Sequence, residues 1–341
     1  MSKSGWASVF GRLRRQRLTM AATGLVALLL ATALGADCLA SDLPIVLSYK
    51  GDLHILPNLR RPGGLRHHDN HTLRRDLAST GSGWAVYPLI PYGPNQTQPG
   101  GALDLNARPG SGEHLLGTDD VGRDVAAQLV HGARVALLVG FVAVLIYVVI
   151  GLVLGALAGY LRGPVDHLVS WGVAVMLTFP TFLLILVIQG LVSAQSLWGV
   201  MVVIGLTGWA GVSRLVRGEV LRIRALPYVE AARGLGASHV RILVHHVLPN
   251  ALGPVAVAAT FGMASAILVE TGLSFLGFGP DAPSWGRLIA AAQVNRTSWW
   301  LTVFPGLAIF VTVLSYNFLA EGLQDALDPH HRARLPRDWT D

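Results

Sequence analysis

LVSWGVAVMLTFPTFLLILVIQGLVSAQSLWGVMVVIGLTGWAGVS, residues 168–213, carries no charged side chain. A bilayer-spanning helix needs about 20 predominantly apolar residues. The run is therefore too long for one helix, and the polar patch Ser193-Ala194-Gln195-Ser196 divides it into a third and a fourth span. Working outward, residues 135–160 form a second span whose only ionisable side chains are tyrosines. Residues 248–269, extended to Phe278, form a fifth, and residues 297–320 a sixth. Residues 18–36 make the first, behind Arg12, Arg14, Arg15 and Arg17. Composition agrees: 52% of the 341 residues are hydrophobic and only 13% charged, against about 25% charged in soluble domains. The expected fold class is an all-α polytopic membrane protein of about six transmembrane helices, with a small irregular, β-containing insert after the first.

Arginine placement sets the expected topology, because short loops on the cytoplasmic side are enriched in Lys and Arg. The net charge of +6 is an arginine effect, since Lys3 and Lys50 are the only lysines. These arginines sit beside apolar runs, which points to membrane orientation rather than nucleic acid. With the N-terminus inside, the inside segments hold Arg12 to Arg17, Arg162, Arg214 through Arg241, and Arg332 to Arg337. Both termini are then cytoplasmic. The first run also resembles a secretion signal with cleavage after Ala33, but it is long for a signal core, and a retained anchor is the stronger reading. The expected organisation is a tail and first helix over 1–39, and a periplasmic insert over 40–133. A five-helix core over 134–325 follows, with a cytoplasmic loop at 214–250, then a tail over 326–341.

The insert is rich in Pro, Gly, Asn and His. Residues 43–56 alternate loosely about Lys50-Gly51-Asp52 and read as a hairpin, whereas 81–112 has many turn formers and no helical period. His67, His68, Asp69 and His71 are the one metal-like cluster, more simply read as a solvated loop, so no metal site is expected. Cys38 is the sole cysteine, which excludes an intrachain disulfide and a cysteine zinc site.

Catalytic motifs are missing. A phosphate-binding P-loop needs a lysine between glycine and serine or threonine, and neither Lys3 nor Lys50 has that setting. Any ATP dependence must come from another chain. A carrier driven by protons or ions places ionisable residues deep in its spans; here Glu270, with Ser274 one turn on, is the main candidate, either lining a path or pairing helices. The poverty of intramembrane charge argues against a secondary carrier; a carrier or channel without an ATPase partner is the alternative reading.

The segment 226–250 is richer. Pro227 can start a helix, where its missing N–H costs nothing, and Tyr228-Val229-Glu230-Ala231-Ala232-Arg233 continues it with small residues that allow close approach. Gly236 supplies a left-handed end. Ser238 can cap a second helix that Pro249 breaks. Two short helices at an exposed bend are expected.

Glu230-Ala231-Ala232, Gly236, Leu248 and Pro249 resemble the Glu-Ala-Ala signature of binding-protein-dependent ABC importer permeases. His246 in place of isoleucine resembles the oligopeptide/dipeptide/nickel branch. Gly117-Thr118-Asp119, then Gly122-Arg123-Asp124, resembles that branch's pattern before span two. So does Glu270-x-x-Leu273-Ser274-Phe275-Leu276-Gly277-Phe278-Gly279 with Pro283-Ser284-Trp285-Gly286. The resemblance covers about residues 117–329, and the long insert resembles the extended form in some peptide permeases. It implies a non-enzymatic transport subunit in a bacterial inner membrane, in contact with lipid and not with nucleic acid. The implied partners are a second homologous permease, two ATPase subunits and a periplasmic substrate-binding protein. No cofactor is implied on this chain, since ATP and Mg2+ belong to the ATPase. Tyr228, Glu230, Ala231, Ala232, Arg233, Gly236, Leu248 and Pro249 would form the coupling element that seats on it.

Overall fold

The computed structural model describes residues 11, 13, 16–49, 51–65, 68–80, 83–97, 105–110, 114–192 and 196–327. Within them the chain forms α1 (Arg17–Leu34), α2 (Ala36–Leu39), β1 (Val46–Tyr49), β2 (Asp52–Ile55), α3 (Pro57–Arg60), α4 (Asn70–Thr80) and β3 (Gly83–Val86). Next come α5 (Val125–Leu161), α6 (Gly163–Thr178), α7 (Thr181–Val192), α8 (Leu197–Thr207) and α9 (Trp209–Arg224). The chain continues through α10 (Pro227–Gly234), α11 (His239–Ile242), a π-helical turn (Leu243–Val247), α12 (Leu248–Phe275), α13 (Trp285–Ala291) and α14 (Trp300–Leu327). Four stretches are long and apolar enough to cross a bilayer: Arg17–Leu34, Val125–Leu161, His239–Phe275 and Trp300–Leu327. The bent pairs α6–α7 and α8–α9 raise the number to six.

α5 is the central helix and packs on α9 through a stripe of glycines. Gly151, Gly155 and Gly159, four residues apart, face Val212, Val216 and Val220, which have the same spacing on α9. A Cβ on Gly151 would stand 2.6 Å from Val212 Cβ, and one on Gly159 would stand 2.9 Å from Val220 Cβ. In lipid there is little hydrophobic drive between helices, so close backbone approach and dispersion contacts hold such pairs together. Val139, Ala143, Ile185, Val200, Met201, Val216 and Val220 fill the core among α5, α7, α8 and α9. α14 packs on α12 and α1, where Gly322 lies against Thr19.

Gln16 Nε2 donates to Asp325 Oδ2 at 3.3 Å, and Leu327 lies against Gly253. The start of α1 and the end of α14 therefore lie at the end of the bundle that carries α10 and α11. The insert lies at the opposite end. Its antiparallel sheet has the order β2-β1-β3, with Val46 opposite both Ile55 and Val86, and buried Leu47 packs on Leu43, Leu65 and Leu73. The expected hairpin is present, and a third strand forms at Gly83–Val86, where turns alone were expected.

Three expectations need correction, and one span needs closer description. The histidine-rich run opens the helix α4 rather than a loop: Thr72 N donates to Asp69 Oδ1 at 2.7 Å and Asp69 N to Thr72 Oγ1 at 2.8 Å, a reciprocal N-terminal cap. His67 lies outside the described residues, as do Lys50, Ser193–Gln195, the arginines at 12, 14 and 15, and the segment 328–341. The third span is sharply bent where α6 and α7 meet at 86°, at a proline whose place in a span already suits a kink. Pro180 disfavours helical geometry at Phe179, which sits at φ −84, ψ 135. The second span begins at Val125, ten residues before the expected 135. The polar side chains in that extension face other elements, not lipid: Arg134 Nε donates to Ala33 O at 2.8 Å and Nη2 to Asp37 Oδ2 at 2.7 Å, while His131 Nε2 contacts Ala40 O at 2.9 Å. Finally, Pro249 does not end a helix, because the π turn Leu243–Val247 carries the chain through into α12.

Candidate functional site

The bend between α9 and α12 is anchored on one side and open on the other. Val229, Ile242 and Val247 are fully buried in the main core. Glu230, Ala231, Arg233 and Gly234 are exposed, Leu235 is 89% exposed and Val240 73%. Pro227 occupies the first turn of α10 as expected. Gly236 stands at φ +80, its N–H bonded to Arg233 O at 3.0 Å, and Ala237 N–H reaches Ala232 O at 3.1 Å. These bonds close the helix end in the glycine-terminated manner. Ser238 Oγ then accepts from Arg241 N and starts α11.

Two sets of contacts tie this bend to the bundle, and sequence reasoning missed both. Tyr228 Oη donates to His246 O at 3.3 Å, and Asn250 Nδ2 donates to His246 O at 2.7 Å and to Tyr228 Oη at 3.1 Å. They brace the π turn just before Pro249, whose missing N–H interrupts the backbone ladder. Arg224 Nη1 donates to Tyr160 O at 2.8 Å and to Gly159 O at 3.3 Å, closing the end of α5, while Tyr160 Oη meets His239 Nδ1 at 3.1 Å. These contacts connect α10 and α11 to both α5 and α12. No local pattern marks Tyr160 or Arg224, because their partners are distant in sequence. A cleft of about 820 Å3 opens beside the bend, lined by Ile223, Leu226, Tyr228, Pro254, Phe261 and Leu327.

At the other end, Gly117, Thr118, Asp119, Gly122, Arg123 and Asp124 fold into a knot that launches α5. Gly117 and Gly122 both stand at φ +80. Asp119 is fully buried and accepts from Arg123 N at 2.8 Å, Arg123 Nε at 2.7 Å and Gln128 Nε2 at 2.9 Å. Asp124 caps α5 through Ala127 N at 2.7 Å and pairs with His114 Nδ1 at 2.8 Å. Trp300 Nε1 donates to Thr118 O at 3.0 Å, fastening α14 to the knot. The spacing of the motif is that of a helix start.

Glu270 is fully buried, and its Oε1 accepts from Ser274 Oγ at 2.6 Å. A Cβ on Gly286 would strike Thr271 O and Ser274 Cβ, so α13 lies directly on this turn of α12. The two side chains thus meet each other at a helix contact, and Ser274 also borders a polar cleft with Asp120, Arg123, Asp281 and Arg287. Among the described residues, no group of three or more His, Cys, Asp or Glu side chains is placed to hold a metal ion.

Residues 151–333 match the family described as "Binding-protein-dependent transport system inner membrane component". The chain is 40% identical over 222 residues to the dipeptide transport system permease protein DppC of Alkalihalophilus pseudofirmus, covering 64% of this chain and 73% of that protein. It is 38% identical over 225 residues to the oligopeptide transport system permease protein OppC of Haemophilus influenzae, covering 65% and 72%. Similarity to OppC of Mycobacterium bovis is 37% over 259 residues, covering 74% and 87%.

Proposed function

The chain belongs to the family of inner-membrane components of binding-protein-dependent transport systems, and from that premise we propose that it is the permease subunit of an ABC importer for peptides. It takes up dipeptides or oligopeptides across a bacterial inner membrane and has no enzymatic activity of its own. It works with a second homologous permease, two ATPase subunits that bind ATP and Mg2+, and a periplasmic substrate-binding protein. Both termini and the bend at 226–250 face the cytoplasm, and the insert faces the periplasm. The organisation is then a tail and anchor over 1–39, an insert from 40 that ends where α5 begins at Val125, and a permease core that runs to the end of α14 at Leu327, followed by a tail.

One observation carries the coupling role. The bend is rigidly held by Val229, Ile242 and Val247 yet presents Glu230, Ala231, Arg233 and Leu235 to another surface. Leu235 supplies an apolar knob, the alanines permit close approach, and Glu230 and Arg233 set the register by charge. Closure of an ATPase pair displaces α10 and α11. The Tyr160–His239 and Arg224–Tyr160 contacts carry that displacement into α5, and the Tyr228–His246–Asn250 brace carries it into α12. The spans then alternate between two arrangements around a shared path, each favoured by a different nucleotide state of the motor.

Reconstitution of the chain with its neighbouring permease, ATPase and binding protein in proteoliposomes tests this. ATP-dependent accumulation of a labelled dipeptide or short oligopeptide, lost when the ATPase or the binding protein is left out, is the expected result. Accumulation that persists without ATPase would overturn it.

A further inference from the structure

Two bent helix pairs meet at one cavity. α6 and α7 turn through 86° at Phe179-Pro180, and α8 and α9 through 41° at Gly208. Among them, α5 and α12 lies a space of about 520 Å3, bordered by Thr181, Phe182, Gly208 and Gly211. Tyr147 borders it from α5 and Gly262 from α12. Tyr147 is midway along the apolar stretch 135–160, and Gly262 is midway along α12, so the cavity lies near mid-membrane depth. Leu215 and Ala258 line both this cavity and the cleft beside the bend, which makes the two neighbouring chambers.

Polar groups without partners gather at this space. Tyr147 is 8% exposed, and its hydroxyl has no hydrogen-bond partner among the described residues. The side chain is wedged in place: a Cβ on Gly262 would strike Tyr147 Oη, and one on Gly208 would stand 2.8 Å from its Cδ1. At the 86° bend, Leu184 N is the first amide of α7 to find a carbonyl, Pro180 O at 3.0 Å. The N–H groups of Thr181, Phe182 and Leu183 are left without main-chain partners, as the first turn of any helix is. The carbonyls in the last turn of α6 are open likewise, because Phe179 is extended. At membrane depth, open backbone groups persist only where protein or a polar cavity receives them. The rest of the wall is uncharged. No Asp, Glu, Lys, Arg or His lines it, and Met176, Leu215 and Val269 give it apolar surface.

We infer that this cavity holds one residue of a peptide in transit, with its main chain on Tyr147 and the start of α7 and a large uncharged side chain against the apolar wall. The hydroxyl and the open N–H groups donate to peptide carbonyls, and the open carbonyls of α6 accept from peptide N–H groups. A peptide offers both kinds at nearly every residue, so these bonds are indifferent to its sequence. The uncharged wall is not indifferent, since an unpaired charge is costly to bring there. This role rests on the peptide-import reading and gives the cargo a preferred side-chain class within the membrane.

The test is photolabelling of the reconstituted importer during ATP-driven uptake of alanyl-p-azidophenylalanine, with adducts mapped by mass spectrometry. Wild type should carry the label on Met176, Leu215 or Val269. Tyr147→Phe should lower that label by roughly two- to tenfold, the weight of one neutral hydrogen bond. Its melting temperature should be unchanged or higher, because a hydroxyl with no partner in the chain leaves the fold nothing to lose. Gly211→Leu fills the cavity from a position where a Cβ meets nothing within 4 Å. It should cut the label by about tenfold or more while alanyl-alanine is still taken up. Gly24→Leu, equally open but on α1, should match wild type. Label outside the cavity in a wild type that accumulates peptide would overturn this inference alone. Full labelling in both Tyr147→Phe and Gly211→Leu would also do so, as would a melting temperature that falls in Tyr147→Phe. Accumulation without the ATPase would remove the import reading, and this role with it.

Discussion

Replacing Gly155 with alanine tests the closeness of the α5–α9 contact. The new Cβ would meet the backbone oxygen of Ser213, Val216 Cβ at 2.8 Å and Arg217 N at 3.1 Å. Ordinary contacts are nearer 3.5–4.0 Å, so the helices must separate or distort along the seam. Overpacking of this kind costs about 1–3 kcal/mol. Alanine also gains roughly 0.5–1 kcal/mol in a helix relative to glycine, so the absolute change understates the clash. Gly218→Ala removes that ambiguity. Gly218 lies in α9 and is exposed, and a Cβ there would meet nothing within 4 Å, so only the propensity gain applies. The difference between the two variants therefore isolates the overpacking. At about 2–4 °C per kcal/mol, their melting temperatures should separate by roughly 2–12 °C, with Gly155→Ala the lower. Tryptophan-fluorescence melting in detergent reads this directly. Equal melting temperatures would refute the close approach and the role of the glycine stripe.

Three other perturbations follow from particular contacts. Gly236→Val forces a β-branched residue to φ +80 in open space, a backbone cost of about 1–2 kcal/mol with no steric clash; with Glu230→Lys it should lower ATPase co-purification while membrane insertion is unchanged, and full retention in both variants would contradict the coupling role. Asp124→Ala removes the cap on Ala127 N and the partner of His114, costing about 0.5–2 kcal/mol from the cap alone; amide exchange should quicken at residues 125–128 first, and uniform exchange would count against the knot. The mature chain should retain α1, because Arg134 holds Ala33 O and Asp37 and Gly322 packs on Thr19; an intact mass lacking residues 1–33 would contradict it.

The spans were legible because lipid leaves a simple trace: long apolar runs closed by arginine or proline. The bend was legible too, since Pro227, Gly236 and Ser238 each act on the backbone within a turn of their own position. What stayed hidden depended on distant partners. Arg134 and His131 fall outside the expected span at 135–160, yet their partners lie at residues 33–40, and α5 extends back through them. Pro249 read as a stop, but the π turn Leu243–Val247 carries the helix past it, with Asn250 Nδ2 bonded to His246 O beside it. Asp69 was grouped with histidines as a metal-like run, when its bond to Thr72 makes it a helix cap. Tyr160, Arg224 and Asn250, which tie the bend to the bundle, have no pattern of their own. Glu270 and Ser274 were legible as a pair one helical turn apart, and Gly286 shows why small residues follow: α13 sits on that turn.

The central claim is that the bend at 226–250 is the seat of a separate motor. Its most direct test is cysteine cross-linking in native membranes, with Cys38→Ser as background and single cysteines at Leu235 and at Val294, which is 77% exposed at the opposite end of the bundle. An adduct with the ATPase subunit from Leu235→Cys, and none from Val294→Cys, is the predicted outcome. No adduct from Leu235→Cys, or equal capture at both positions, would contradict the account.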